Sequence, residues 1–247
     1  MPVVAAALTV VAAALLAGCT TSASAPKHSD SAAAATAAAG TRTPAAGAPL
    51  CPGQTQTAAL TACLRDALAA FWTAELSTSV SEPVRIAARP ATVPVPCRPG
   101  LAAAPAFTCR SDLSLYLNKG MLAAIARDVP AGQRMYAFAS VQAHEIGHVL
   151  QYRLRQPQIE HAEPTAAQTR YVEQQADCLS GVWAFHAVRE HRGFSAGTFL
   201  ATAERLLTAL GSGTEVATHG TPAQRVAAIR RGLATGRPGS CGLTTFR

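Results

Sequence analysis

Two histidines and a glutamate lie within one short segment whose apolar residues recur at helical spacing. His144, Glu145 and His148 form the pattern His-Glu-x-x-His. Because positions i and i+4 of a helix share one face, both imidazoles can reach a single ion while Glu145 projects beside them. Zinc suits such a pair, and the carboxylate can then accept a proton from a water that attacks a polarised carbonyl. The segment therefore predicts a zinc site with a general base.

A second acidic motif supplies a candidate third ligand. Glu173 follows His148 by 25 residues and opens the next predicted helix, and Asp177 comes one turn later. The pair matches the Glu-x-x-Ala-Asp pattern of gluzincin peptidases, in which the glutamate completes the set of zinc ligands. Asp177 is expected to accept the remaining N–H of a ligand histidine and so to fix its tautomer. Two surface carboxylates at helical spacing are the alternative, which the upstream His-Glu-x-x-His pattern disfavours.

These motifs resemble the neutral zinc metallopeptidase family of bacteria. The likeness rests on residues 143–148, on residues 173–183, and on Thr218-His219-Gly220 with Arg225. It extends over about residues 97–241, with a looser match from Trp72. Together with the predicted elements, the resemblance implies an α+β, mainly helical, zincin-like domain with a small β-sheet or hairpin and an active-site helix pair.

The resemblance also implies roles for two further residues. Membrane-bound heat-shock peptidases share the same order of ligands, and by that analogy His219 lies over the zinc and stabilises the oxyanion of the tetrahedral intermediate. Arg225 is then expected to hold His219 in place. A histidine before a glycine is also a common turn residue, and this second interpretation of His219 stays open.

Seven cysteines divide into one near the N-terminus and six in the rest of the chain. The six are an even number, which in an exported chain predicts three disulfides. The short loops from Cys51 to Cys63 and from Cys97 to Cys109 suggest local bridges, which leaves Cys178 for Cys241. The resemblance supports the last pair, since the family has a cysteine after its Ala-Asp pair and another near its C-terminus. A zinc site made of these cysteines is disfavoured because none forms a Cys-x-x-Cys pair.

The N-terminus predicts export and lipid attachment. Residues 3–16 form an apolar run too short to span a bilayer, and they lead into Leu-Ala-Gly-Cys, which resembles a bacterial lipobox. We expect residues 1–18 to be a lipoprotein signal peptide and Cys19 to be the lipid-bearing first residue. Residues 19–50, rich in Ala, Ser, Thr and Pro, predict a disordered linker. Residues 51–247 would form the zinc metallopeptidase domain, at the extracytoplasmic face of the cell membrane.

Apolar periodicity predicts a largely helical domain. An amphipathic first helix is expected over residues 57–76, with Trp72 in the core. Prolines break residues 77–105, where only short extended pieces such as 84–87 are expected, and residues 107–118 predict paired short strands. Tyr116 lies either on an edge strand that aligns a peptide or in the core. Further helices are predicted at residues 120–126, 135–154, 172–189, 196–210 and 222–234.

The charge distribution disfavours a nucleic-acid partner. The formal net charge is +7, but the basic residues are dispersed and aromatic residues make up only 5% of the chain. A nucleic-acid footprint would be clustered or interleaved with aromatics. The expected partners are a peptide or protein substrate and, through the lipid anchor, the membrane. The sequence does not predict the oligomeric state.

Zinc-dependent hydrolysis of a peptide bond is the function that the motifs favour, with Glu145 as base and then acid. A catalytically silent zinc-binding lipoprotein that acts as an envelope scaffold is the alternative, because a motif does not prove turnover. The intact base favours the enzyme. Hydrolysis of an amide other than a peptide bond also stays open.

Overall fold

The computed structural model describes residues 47–76, 83–85, 97, 104–159, 164–210 and 215–243. The predicted signal peptide, Cys19 and most of the predicted linker lie outside these ranges. Within them, seven α-helices and three short strands follow one another along the chain: α1 (Thr57–Leu76), β1 (Val84–Arg85), β2 (Ala106–Thr108), β3 (Leu115–Leu117), α2 (Lys119–Asp128), α3 (Ala131–Arg153), α4 (Ala166–Glu190), α5 (Ala196–Leu210), α6 (Glu215–His219) and α7 (Pro222–Thr235). No helix in these ranges is both long enough and apolar enough to cross a lipid bilayer.

The folded part of the chain begins earlier than the predicted boundary at Cys51. The amide of Gly47 donates a hydrogen bond to the carbonyl of Glu190, and Ala48 pairs with His191 in a parallel bridge. Leu50 is buried in the main core. The last residues of the predicted linker are therefore docked against the C-terminal end of α4.

Helix α1 has the bounds that its apolar spacing predicts. Leu60, Leu64, Leu68 and Trp72 recur every four residues and are all buried, which gives the helix one apolar stripe. Trp72 is completely buried, as the sequence predicted. The stripe belongs to the same core as α3, so α1 supports the helix that carries the His-Glu-x-x-His motif.

The three strands form one mixed sheet with β3 at its centre. Strand β1 pairs with β3 in parallel, and β2 pairs with β3 antiparallel, with Thr108 opposite Leu115 and Phe107 opposite Tyr116. Tyr116 is thus on the central strand, where its ring stacks on Phe107 at 4.9 Å. The edge-strand interpretation of Tyr116 is wrong, because both edges of β3 are already paired.

The two longest helices, α3 and α4, form the centre of the domain. Helix α3 is buried around most of its circumference, which is typical of a helix enclosed by other elements. Helix α4 starts at Ala166 because Thr165 and Gln168 form a capping box that satisfies its first free amides. The prediction that Glu173 opens this helix is therefore wrong. Glu173 lies two turns inside, where the backbone is held by hydrogen bonds on both sides.

The segment before α7 contains a helical turn that the sequence did not predict. Residues 215–219 form α6, and Gly220 follows with φ of +93°, a conformation that glycine adopts readily. Thr221 then caps α7 through a second capping box with Gln224. His219 is thus the last residue of a short helix rather than a loop residue, and Arg225 is in the first turn of the next helix.

Three disulfides join the pairs that the cysteine spacing and the family resemblance suggested. They are Cys51–Cys63, Cys97–Cys109 and Cys178–Cys241. The first fastens the N-terminal segment to α1, and the third fastens the C-terminal segment to the middle of α4.

Helices α4 and α7 approach each other closely because glycines face each other across their interface. A Cβ atom at Gly181 would overlap the main chain of Ile229, and one at Gly232 would overlap the main chain of Cys178. This approach brings the N-terminal turn of α7 to the level of the acidic motif on α4.

We expect Gly181→Ala to lower the free energy of unfolding by about 1–3 kcal/mol, because the added methyl group forces the main chains of α4 and α7 apart. Gly197→Ala, on the exposed side of α5, is the matched control. Its Cβ would meet only Ser195 Oγ at 3.8 Å, so its effect should stay within about 1 kcal/mol. Urea denaturation of both variants tests the prediction. Equal stability of the two would contradict the close packing.

Candidate metal centre

Three acceptor atoms from α3 and α4 face one another at the centre of the domain. The Nε2 atoms of His144 and His148 are 3.2 Å apart, and Glu173 Oε2 lies 3.2 Å from the first and 3.5 Å from the second. All three atoms lie within 4.8 Å of one another, close enough to hold one metal ion. The structure thus brings together the three ligands that the sequence predicted.

The spacing of these atoms fits tetrahedral zinc. Zinc–ligand bonds of about 2.0–2.1 Å imply separations of about 3.3–3.4 Å between ligand atoms at tetrahedral angles. The observed separations, from 3.2 to 3.5 Å, lie around that value. Glu173 Oε2 is also buried without a hydrogen-bond donor among the described residues, although three imidazole nitrogens surround it. A buried carboxylate oxygen that faces lone pairs needs a cation to be stable.

A buried ion pair fixes the tautomer of His144. Its Nδ1–H donates to Asp177 Oδ1 at 2.8 Å, so in the neutral form of the ring, which binds a metal, the lone pair is on Nε2, toward Glu173. Arg225 donates from Nε to Asp177 Oδ2 at 2.8 Å and from Nη2 to Oδ1 at 3.0 Å. Such a two-pronged pair holds the carboxylate plane firmly. The expectation that Arg225 holds His219 is therefore wrong, since Arg225 acts on Asp177.

His148 has a neutral partner instead of a carboxylate. Its Nδ1 lies 2.7 Å from Oε1 of Gln151, which is one turn further along α3 and completely buried. The two ligand histidines are therefore supported by groups of different charge.

The site as a whole stabilises positive charge. Burial by itself lowers the pKa of His144, but the charge and hydrogen bond of Asp177, together with Glu173, raise that pKa to about 10. The pKa of His148 is also raised, since Glu173 outweighs the effect of burial. Burial raises the pKa of Glu173, yet the two imidazoles hold it well below its usual range. Glu173 and Asp177 thus favour protonated histidines, and a metal cation bound here would take the place of the protons on Nε2 of the two rings.

Glu145 is buried beside the ligands and has its own hydrogen-bond donor. Thr108 Oγ1, on strand β2, lies 2.9 Å from Glu145 Oε2 and 2.8 Å from its carbonyl oxygen. The hydroxyl can donate to only one of these oxygens at a time. The threonine nevertheless restricts the position of the carboxylate on the side that faces the sheet.

His219 lies next to the three ligands but outside their group. Its Nε2 is 3.4 Å from Glu173 Oε2, whereas its Nδ1 is 2.9 Å from Thr218 Oγ1 and 3.1 Å from Glu215 Oε2. Because the group within 4.8 Å contains only His144, His148 and Glu173, the His219 nitrogens are further from at least one ligand atom. This geometry favours a residue that faces the site rather than a fourth ligand.

Gly147, inside the His-Glu-x-x-His motif, allows α3 and α4 to approach at the level of the site. A Cβ atom there would lie 2.9 Å from Ala176 Cα, a distance that real contacts do not reach. Ala176 precedes Asp177, so any separation of the helices at this point would move Asp177 away from His144. The glycine thus sets the distance between the two halves of the site.

A cavity of about 610 Å³ opens onto the site. Its lining includes the apolar side chains of Met121, Val141, Leu206 and Leu207, together with Arg110 and Tyr152. Val141 and Tyr152 are on the same helix as the histidines, at opposite ends of the motif. The cavity therefore extends along α3 past both histidines.

Four polar residues at the site were not predicted from the sequence: Thr108, Gln151, Gln175 and Glu215. A threonine in a short strand carries no signal for a contact with a helix 37 residues away. For the two glutamines the sequence did contain a weak signal, because each is a polar residue among the apolar residues of a helix that is buried on most sides. Polar groups at such positions are expected to have hydrogen-bond partners.

Two relatives from Escherichia coli match the chain. Both are named Uncharacterized protein YpfJ, one from strain K12 and one from strain CFT073 of serotype O6:H1, and each is 27% identical over 163 residues. The match covers 59% of this chain and 56% of each relative, so the chain spans little more than half the length of these proteins. No solved structure matches the chain.

A family profile matches a larger part of the chain. The family is described as Putative neutral zinc metallopeptidase, and its profile matches residues 82–246. The match includes all three ligands, Glu145, His219 and Arg225. It covers well over half of the chain and implies zinc as the metal. The chain belongs to the neutral zinc metallopeptidase family.

Proposed function

We propose that this chain is a peptidase that hydrolyses peptide bonds with zinc held by His144, His148 and Glu173. The observation that carries the proposal is the convergence of two imidazole nitrogens and one carboxylate oxygen, 3.2 to 3.5 Å apart, with a buried carboxylate beside them. Two imidazoles and one carboxylate are a ligand set of catalytic zinc sites, which keep one position open.

Bound zinc supplies Lewis acidity, which polarises a substrate carbonyl and lowers the pKa of water. Glu145 removes the proton from the attacking water. Thr108 Oγ1 lies against Oε2 of this carboxylate, so we assign Oε1 as the oxygen that accepts the proton. The same oxygen then delivers the proton to the amine that leaves, since general acid and base act in sequence in one turnover.

His219 stabilises the negative charge that develops on the carbonyl oxygen. Its Nδ1–H donates to Glu215 Oε2 in the preceding turn and Nδ1 also lies beside Thr218, so Nε2, which faces the site, can donate to the oxyanion when both ring nitrogens carry a proton. A donor fixed in this way before the reaction needs no reorganisation when the charge appears. Asp177 and Arg225 act on His144 and do not contact the substrate.

The buried base favours an enzyme over a silent zinc-binding scaffold. A scaffold needs the three ligands, but it gains nothing from a carboxylate held beside them in a low-dielectric environment. Glu145 is 5% exposed and is fixed by Thr108, which is typical of a group positioned for proton transfer. The cavity of about 610 Å³ passes both histidines along α3, which supports a peptide as the substrate.

Replacing Glu145 by Gln is expected to leave zinc bound and to lower the rate of peptide hydrolysis by at least about 10²–10⁴-fold, because only the proton acceptor is lost. Zinc content per chain and cleavage of a fluorogenic peptide library measure the two effects. Glu204→Gln, at an exposed position of α5, is the matched control and should change neither. Cleavage by the Glu145 variant at the parental rate would refute the mechanism, and stoichiometric zinc without hydrolysis in the parent would favour the scaffold.

Replacing His219 by Ala is expected to lower kcat by about 10²–10³-fold, the usual cost of one oxyanion donor. KM should change much less, because the interaction forms in the transition state. Zinc content should stay at the parental value, since His219 is outside the ligand group. Loss of zinc from this variant would instead show that His219 is a ligand.

We propose further that the protein is anchored to the extracytoplasmic face of a bacterial membrane through lipid on Cys19. The Leu-Ala-Gly-Cys sequence supports this proposal, and so do three disulfides in the rest of the chain. Disulfides persist in oxidising compartments, which lie outside the cytoplasm. Residues between Cys19 and Gly47 would separate the domain from the bilayer.

We expect Cys19→Ala to abolish incorporation of labelled palmitate. The variant should also move from the membrane fraction, which only detergent extracts, to the soluble fraction. Cys19 is not among the disulfide cysteines, so folding and zinc content should be unaffected. Expression in a bacterial host with metabolic labelling tests the prediction. Acylation of the variant at the parental level would show that the lipobox interpretation is wrong.

A further inference from the structure

A chain of buried side-chain amides connects His148 to the C-terminal segment. His148 Nδ1 lies 2.7 Å from Gln151 Oε1, and Gln151 Nε2 lies 2.8 Å from the carbonyl of Val172 and 3.0 Å from Gln175 Oε1. Gln175 Nε2 in turn lies 3.2 Å from the carbonyl of Cys241. Both glutamines are almost completely buried, so water does not compete for these contacts.

The direction of this chain is fixed by its two main-chain carbonyls. A carbonyl oxygen only accepts, so each glutamine must turn its NH₂ group toward the carbonyl it contacts. Gln151 Oε1 then faces His148, and Gln175 Oε1 faces Gln151. With an acceptor opposite its Nδ1, His148 must carry its proton there and keep its Nε2 lone pair free for a cation.

We propose that Gln151 and Gln175 are positioning residues of the zinc site, and that they transmit to His148 the constraint set by the Cys178–Cys241 disulfide. The proposal rests on the zinc site of the proposed function but not on turnover. Val172 and Gln175 are on α4, the same helix as Glu173. The amide chain therefore aligns His148 with the very helix that carries the third ligand.

The disulfide gives the C-terminal segment this role. It joins Cys241 to Cys178, so the carbonyl that accepts from Gln175 is held against the helix three residues after Gln175. Without a fixed acceptor at Cys241, the amide of Gln175 could rotate and present NH₂ to Gln151. Two NH₂ groups would then face each other, and only the carbonyl of Val172 would still hold Gln151 in the orientation that faces His148.

The matched pair for a test is Gln151→Met and Gln142→Met. Methionine preserves the length and shape of glutamine but removes both polar atoms. Gln142 is on the same helix and is completely buried, and neither of its polar atoms has a hydrogen-bond partner among the described residues. Zinc affinity is measured by competition with a chromophoric chelator, together with the visible absorption spectrum of the cobalt-substituted protein and the midpoint of thermal unfolding.

We expect Gln151→Met to weaken zinc binding by about 10–100-fold and to alter the cobalt spectrum, whereas Gln142→Met leaves both unchanged. Gln175→Met should weaken binding less than Gln151→Met, and the double variant should bind no more weakly than Gln151→Met, because both act along one path. Equal zinc affinity of the Gln151 and Gln142 variants would overturn the proposal. Full affinity in Gln175→Met alone would overturn the part that concerns the C-terminal segment.

A conservative variant separates positioning from simple stability. Gln151→Glu keeps an acceptor for His148 but loses the donor to Val172, so thermal stability should fall while zinc affinity recovers relative to Gln151→Met. If affinity instead follows stability across all variants, the glutamines are structural only and the proposal fails. Peptide hydrolysis by the parent is assayed in parallel. A parent that binds zinc but cleaves nothing refutes the proposed function and leaves this inference standing.

Discussion

Three lone pairs that point at one another in a buried space are the constraint on which the domain depends. Two imidazole nitrogens and a carboxylate oxygen, 3.2 to 3.5 Å apart, repel one another unless a positive charge lies between them. The two imidazoles keep this orientation because the other nitrogen of each ring, Nδ1, contacts a buried hydrogen-bond partner. Asp177 with Arg225 holds the first histidine, and Gln151 with Gln175 holds the second.

The rigidity of this arrangement comes from helix packing rather than from the polar contacts alone. Gly147 lets α4 approach α3 at the level of the ligands, and Gly181 with Gly232 lets α7 approach α4. Through the second contact Arg225 reaches Asp177, and through the first Asp177 reaches His144. Because close-packed interiors transmit small displacements, a methyl group added at any of these glycines would shift the side chains of the metal centre.

The two ligand histidines differ in the charge of their supports, and the difference has an electrostatic consequence. A carboxylate behind an imidazole makes it a stronger donor to a metal than an amide does. Asp177 is neutralised in part by Arg225, whereas the amide chain behind His148 carries no charge. The site contains three carboxylates, Glu145, Glu173 and Asp177, and one guanidinium, Arg225. A divalent cation would neutralise the negative charge that this set leaves, so little unpaired charge would remain buried.

Much of the fold was predictable because it depends on local patterns. Helix α1 has its predicted bounds, and the paired strands and the long helices were located from apolar spacing. The start of α4 was misplaced because a capping box in an irregular segment decided it, and α6 was missed because a single helical turn has no periodicity to detect. Tyr116 was ambiguous because the order of strands in a sheet is not encoded locally.

The sequence by itself determined the types of the candidate ligands, the spacing of the two histidines on one helix, and the cysteines available for pairing. These follow from helical geometry and from the chemistry of single side chains. Only the tertiary structure decided that Arg225 contacts Asp177 and not His219, that Thr108 holds Glu145, and that the amide chain ends at Cys241. These contacts join residues between 37 and 66 positions apart, so they depend on how the helices and the sheet pack together.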